Sequence, residues 1–232
     1  GVASYYPLVI KRMRKWAKRS GALVVGSTIY KEEGKYYNRL LAVYPDGKYE
    51  YYDKHNCFKK GSFSPGDRHL ALEWKGIRFS TYICYDLRFP EWSWNHGEYD
   101  VAIYIANWPE SRRDDWNRLL RERAIENEAY VVAVNCAGTD LTGLVYRGES
   151  CVIAPDGEVR ARCRDYWDDV VVHKVCKVYK VHKVYGPLRG ALLTAAGAAG
   201  KYCPKDTRHF MNFINLTNFM NPIKYYEKEM DY

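Results

Sequence analysis

The sequence predicts an α/β fold built on a mixed sheet, and three observations carry that expectation. Between residues 77 and 135 the pattern runs strand, helix, strand, helix, strand, which places parallel strands in the middle of a sheet. Residues 100–106 are almost continuously apolar, as a strand covered on both faces requires. Hairpin patterns flank this stretch and add antiparallel strands to the same sheet.

The elements follow in order. Residues 7–19 read as an amphipathic helix, with Val9, Met13, Trp16 and Ala17 on one face and Lys11, Arg14, Lys15 and Lys18 largely off it. Gly21 is a left-handed cap for that helix. Strands are expected at 22–30, 36–44 and 48–54, separated by a turn at 32–35 and by Pro45-Asp46-Gly47. A loop rich in Gly, Ser and Lys covers 56–67, and residues 71–74 and 77–84 form a hairpin turned at Lys75-Gly76. Pro90 opens a short helix that gives out by His96-Gly97. Ser111 and Asp114 resemble a capping box for a helix running to 128, with Trp116, Leu119, Leu120 and Ala124 inward. Further strands are expected at 130–135, 148–154, 159–164 and 170–175. Beyond 190 the composition turns to Ala and Gly, then to Asn, Phe and Tyr without a period. One domain over 1–190 and a peripheral tail over 191–232 are therefore expected.

Composition narrows the function classes. A chain of 232 residues that is 47% hydrophobic can bury a sizeable core and is not a disordered one. The net charge of +8 gathers at 11–19 and 173–183. It permits contact with nucleic acid or an anionic membrane, and equally suits anionic substrates or a solvated surface. No nucleic-acid motif accompanies it, no apolar run is long enough to span a bilayer, and no signal peptide is visible. Seven cysteines, an odd number without a CxxC pair, argue against a disulfide framework and a zinc site, and for a reducing, cytoplasmic setting.

Two side chains stand out chemically. Cys84 ends an apolar strand before a proline-initiated turn, which holds its thiol at the carboxyl edge of a sheet, where α/β clefts form. Backbone N–H groups that follow can face a developing oxyanion. The plainer alternative is one buried structural cysteine among seven. Lys54 closes a strand in Tyr51-Tyr52-Asp53-Lys54. Near a thiol, a lysine lowers the thiol's pKa and stabilises a tetrahedral oxyanion; alone, it is a solvated strand-end lysine. Asn107-Trp108-Pro109 ends the neighbouring strand, at the same edge as Cys84. A cysteine protease would need a histidine partner; His96 is the near candidate, at a helix end, and no protease signature accompanies it.

Several strings, in order along residues 16–159, resemble the nitrilase superfamily of carbon–nitrogen hydrolases, nearest its ω-amidase-like branch. They are Val25-Gly26-Ser27, Tyr36-Tyr37-Asn38-Arg39, Tyr52-Asp53-Lys54, Cys84-Tyr85-Asp86-Leu87-Arg88-Phe89-Pro90-Glu91, Ala106-Asn107-Trp108-Pro109, Arg123-Ala124-Ile125-Glu126-Asn127-Glu128-Ala129-Tyr130 and Tyr146-Arg147-Gly148-Glu149-Ser150. The resemblance implies an α-β-β-α sandwich and a Glu-Lys-Cys triad. Cys84 would be the nucleophile; Lys54 and the backbone N–H of Tyr85 would hold the oxyanion. Asn107, Trp108, Arg88 and Arg112 would meet a small amide bearing a carboxylate, and Glu126 would support the loops around it. It implies water as co-substrate, no cofactor or metal, and no nucleic-acid or membrane partner. It also implies a homodimer through residues 91–97 and 112–126; Trp92 and Trp94 suit a buried interface there and would serve a monomer core equally well. The family's general-base glutamate and first strand would precede the helix at 7–19, so an N-terminally truncated domain is expected. Glu50 and Glu126 are the weighed substitutes. Two alternatives remain beside an active amidase: a catalytically silent protein that keeps the fold, and a basic nucleic-acid binder.

Overall fold

The computed structural model describes residues 5–58, 61, 63–174 and 210–213. Helix α1 (Tyr6–Ser20) is followed by strands β1 (Val24–Glu32), β2 (Lys35–Val43) and β3 (Tyr49–Asp53), which form an antiparallel three-stranded sheet in that order. Gly21 caps α1 in the left-handed conformation at φ 62°. The buried face of α1 is Ile10, Met13 and Ala17, set against Val24, Leu41 and Val43. Val9 and Trp16 lie at its margin, because the stripe centres one residue further along than the spacing of Val9 and Met13 implies.

The second sheet has six strands: β4 (Ala71–Trp74), β5 (Ile77–Ile83), β6 (Val101–Ala106), β7 (Tyr130–Asn135), β10 (Cys151–Ile153) and β11 (Val159–Arg162). Their spatial order is β11-β10-β7-β6-β5-β4, with β5, β6 and β7 parallel and the outer pairs antiparallel. Every residue of β6 is buried, as the apolar run requires. Helix α2 (Arg113–Glu126) covers one face through Trp116, Leu119, Leu120 and Ala124. The other face packs on the three-stranded sheet: Leu40, Ala42 and Tyr52 meet Phe79, Ile83, Ile103, Ile105 and Val132. The layers are therefore helix, sheet, sheet, helix, the α-β-β-α sandwich with mixed sheets.

Some local expectations change. The capping box at Ser111 does not form: Ser111 lies in a 3-10 turn (Glu110–Arg112), and Arg112 holds the N-cap position without a side-chain cap bond. Asp114 and Asp115 fill the first turn of α2 instead, where they complement the helix dipole. The Gly-rich loop after β7 holds a short ribbon, β8 (Ala137–Thr139) against β9 (Val145–Arg147). Strand β12 (Val171–Lys174) pairs with β13 (Phe210–Phe213), a strand the residue pattern of the tail does not reveal. The rest of the expected tail and most of the basic stretch at 173–183 lie outside the described residues. Among the described residues, no helix is long and apolar enough to cross a membrane.

Candidate active site

The parallel strands end together at one edge of the six-stranded sheet. Cys84 follows β5, Asn107 and Trp108 follow β6, and Cys136 follows β7. Cys84 opens a 3-10 turn (Cys84–Arg88) with φ 50°, a left-handed conformation that costs a side-chain-bearing residue energy. Such strain persists only where the surroundings fix it, and it gathers at sites that do chemistry. The thiol lies 3.9 Å from the Asn107 carbonyl oxygen.

The three-stranded sheet brings Lys54 to the same place from the opposite side of the seam. Its N–H donates to the Asn38 carbonyl (2.9 Å), which continues the β2–β3 ladder one step past β3. Arg39 pins this end: its guanidinium forms two bonds to Asp53 (2.8 and 2.7 Å) and lies 3.7 Å from the ring centres of both Tyr30 and Tyr51. Gly66 closes over the strand end, donating to the Lys54 carbonyl at 3.0 Å. A Cβ on Gly66 would stand 2.2 Å from the Asp53 carbonyl oxygen, so no larger residue fits there. Lys54 is 6% exposed.

Between these halves is a cavity of about 190 Å³, lined by Ser27, Asn38, Lys54, Phe58, Ile83, Cys84, Tyr85, Ile105, Ala106, Asn107, Trp108 and Arg112. Its described lining contains cations, amides and a thiol, and no carboxylate or histidine. Burial pushes the Cys84 thiol above its ordinary range; Lys54, the Asn107 contact and Arg112 oppose that rise, and Asp86 adds to it.

The structure thus gathers Cys84, Tyr85, Lys54, Asn107, Trp108 and Arg112 in one cavity. Arg88 is outside the lining: it donates to Asp115 at 2.6 Å and lies over the Trp108 ring. Glu126 is also outside. It accepts from Arg123 (2.6 Å), whose guanidinium reaches the Leu87 carbonyl in the Cys84 turn at 2.9 Å. Glu50 is exposed and bonded to Tyr44. His96 is exposed and does not line the cavity. Ser27, Asn38 and Phe58 also line it, and reasoning along the chain gave none of them a site role, although Ser27 and Asn38 stand in the quoted strings. Asn38 is the telling one: its Oδ1 is buried and accepts no hydrogen bond among the described residues. Asn135 also escapes such reasoning. It accepts from the Trp108 N–H (2.7 Å) and donates to the Trp108 and Gly148 carbonyls (3.1 and 2.9 Å), fixing the loop after β6. Trp92 takes the core place that the sequence left open beside an interface role: its ring stacks on His55 and on His69 within the protomer.

A two-sheet sandwich with a strained thiol at a parallel-sheet edge and a buried lysine across the seam defines a cysteine-centred α/β site. The chain belongs to the carbon-nitrogen hydrolase family, whose profile matches residues 5–178. It is 43% identical over 157 residues to Omega-amidase YafV of Escherichia coli (strain K12), covering 66% of this chain and 61% of that relative's length. Its fold matches XC1258 from Xanthomonas campestris, described as a CN-hydrolase superfamily protein with an arsenic adduct in the active site. The TM-score there is 0.67 at 38% identity, over 70% of this chain and 66% of that one. It also matches Saccharomyces cerevisiae Nit3, a member of branch 10 of the nitrilase superfamily, with a TM-score of 0.64 at 25% identity over 68% and 62% of the two chains.

Proposed function

We propose that this chain carries the thiol and lysine of an amidase that hydrolyses the C–N bond of a small amide with a carboxylate at its far end. The observation that carries the reading is the shared cavity of Cys84 and Lys54, each delivered by a different sheet. The Cys84 sulfur adds to the amide carbonyl, the C–N bond breaks, and nitrogen leaves as ammonia with an added proton. Water then cleaves the thioester and releases the acid and the thiol. Lys54 and the Tyr85 N–H receive the oxyanion in both steps. Among the described residues, the cavity lining holds no carboxylate to take the thiol's proton.

The far carboxylate falls to Arg112. Arg112 lines the cavity over the Phe58 and Trp108 rings, whereas Arg88 is already bonded to Asp115. A relative named as an omega-amidase supports a terminal amide as the substrate. Asn38 Oδ1 supplies an acceptor for the amide N–H. A homodimer through residues 91–97 and α2 is part of the proposal, supported by the exposed Trp94 and Ile125 there; sedimentation of the purified protein reads the stoichiometry.

Ammonia release from monoamides of dicarboxylic acids tests the function in the complete gene product. Release abolished by Cys84→Ala is expected; equal release from both proteins overturns the reading. Arg112→Gln should raise KM for these amides at least tenfold and leave an uncharged amide of the same length nearly unaffected, the loss of about one charge-assisted hydrogen bond.

A further inference from the structure

Asp86 is fully buried and does not line the cavity. Its carboxylate accepts three hydrogen bonds. Oδ2 takes the Ile83 N–H at 2.9 Å and the Tyr52 hydroxyl at 2.8 Å; Oδ1 takes the Asn56 N–H at 2.8 Å. These donors stand in telling places. Ile83, the last residue of β5, immediately precedes Cys84, while Tyr52 in β3 and Asn56 in the loop after it bracket Lys54 by two residues on either side. The Tyr52 oxygen itself receives the Trp92 indole N–H (2.9 Å) and the His55 N–H (3.1 Å), so its own proton is committed to Asp86. Three donations and no acceptor around one carboxyl suit the ionised form. Burial raises the Asp86 pKa, and these hydrogen bonds and the charge of Lys54 oppose that rise.

We propose that Asp86 is the positioning residue of this site: as a carboxylate, it ties the Cys84 turn to both flanks of Lys54 and so sets their separation across the seam. The proposal rests on the reading that Cys84 and Lys54 act together. It separates Asp86 from an ordinary buried cap, because the bonds it makes cross from one sheet to the other, and because its charge acts on the thiol it positions. The charged and titratable groups acting on that thiol are Lys54, Arg112 and Asp86, with Tyr146 close enough to feel the thiol in turn.

Asp86→Asn tests it, by the pH profile of Cys84 alkylation with iodoacetamide and by kcat for amide hydrolysis in the complete gene product. Asparagine keeps the shape, loses the charge and presents an N–H₂ to one of the three donors. The expected result is a split: the alkylation midpoint moves to lower pH, because a nearby negative charge is gone, while kcat falls at least tenfold. An unchanged kcat overturns the proposal. So does a lost kcat with the wild-type alkylation profile, which marks Asp86 as structural only. If Asp86→Asn does not fold, Tyr52→Phe removes one tether and keeps the charge. It should lower kcat several-fold with the alkylation midpoint unmoved, and an unchanged kcat overturns the proposal again. The alkylation profile needs no amide. A wild-type protein that releases no ammonia therefore sinks the amidase reading, and this proposal is then read from Lys54→Met: its shift of the Cys84 alkylation midpoint should shrink in the Asp86→Asn background, and an undiminished shift overturns it.

Discussion

At Cys84, burial and Lys54 pull in opposite directions, with burial the larger influence. The thiol is therefore mostly protonated at neutral pH, and its alkylation rate should climb through the alkaline range. Lys54→Met removes a cation that favours the thiolate, so its curve should lie at higher pH than the wild type's. Mass spectrometry of the Cys84 peptide after timed iodoacetamide exposure measures both curves, and superimposed curves would remove Lys54 from the thiol's electrostatics. The φ of 50° at the same residue makes a second prediction. Alanine retains the left-handed penalty and glycine does not, so Cys84→Gly should exceed Cys84→Ala in stability by about 1 kcal/mol in urea. Cys84 and Lys54 are legible in the sequence because each ends a strand within a specific string of residues. Asn38 and Asp86 lie in such strings as well, but their parts are not legible there, since what marks them is an orphaned acceptor and a set of bonds across the seam, both products of tertiary packing.

Strand β6 could be read along the chain because it is one continuous apolar run, and helix α2 because Trp116, Leu119, Leu120 and Ala124 recur at helical spacing. Strands β8 and β9 could not: three residues each, with Gly138 in one and Arg147 in the other, give no period to count. Ser111 misleads for a related reason. A capping signal competes with the 3-10 turn that follows Pro109, and the turn wins because Trp108 anchors it by donating its indole N–H to the Arg112 carbonyl at 2.7 Å. The strand end that carries Lys54 is the element most exposed to mutation. Gly66→Ala places a methyl group against the Asp53 carbonyl and must push β3 or the loop aside. We expect at least a tenfold loss of kcat with a smaller loss of stability, because the displaced group is the lysine itself; circular dichroism melts beside kinetics check the pair. A variant with wild-type kcat would show that the loop yields without moving Lys54.

Across the whole molecule, cohesion between the sheets comes from side chains such as Leu40, Phe79 and Ile103. Leu40→Ala should cost about 2–5 kcal/mol in urea unfolding, with an effect under 1 kcal/mol placing Leu40 outside the core. Each sheet holds itself together by backbone hydrogen bonds, whereas only packing and a few cross-sheet bonds keep the two in register. The thiol belongs to one sheet and the ammonium to the other. Under mild urea or acid, packing can loosen while both sheets keep their hydrogen bonds. The reagents then drift apart in a molecule whose strands still give their full far-UV signal. Turnover thus becomes a gauge of contact between two halves, and it should fade at a lower urea concentration than the strands themselves.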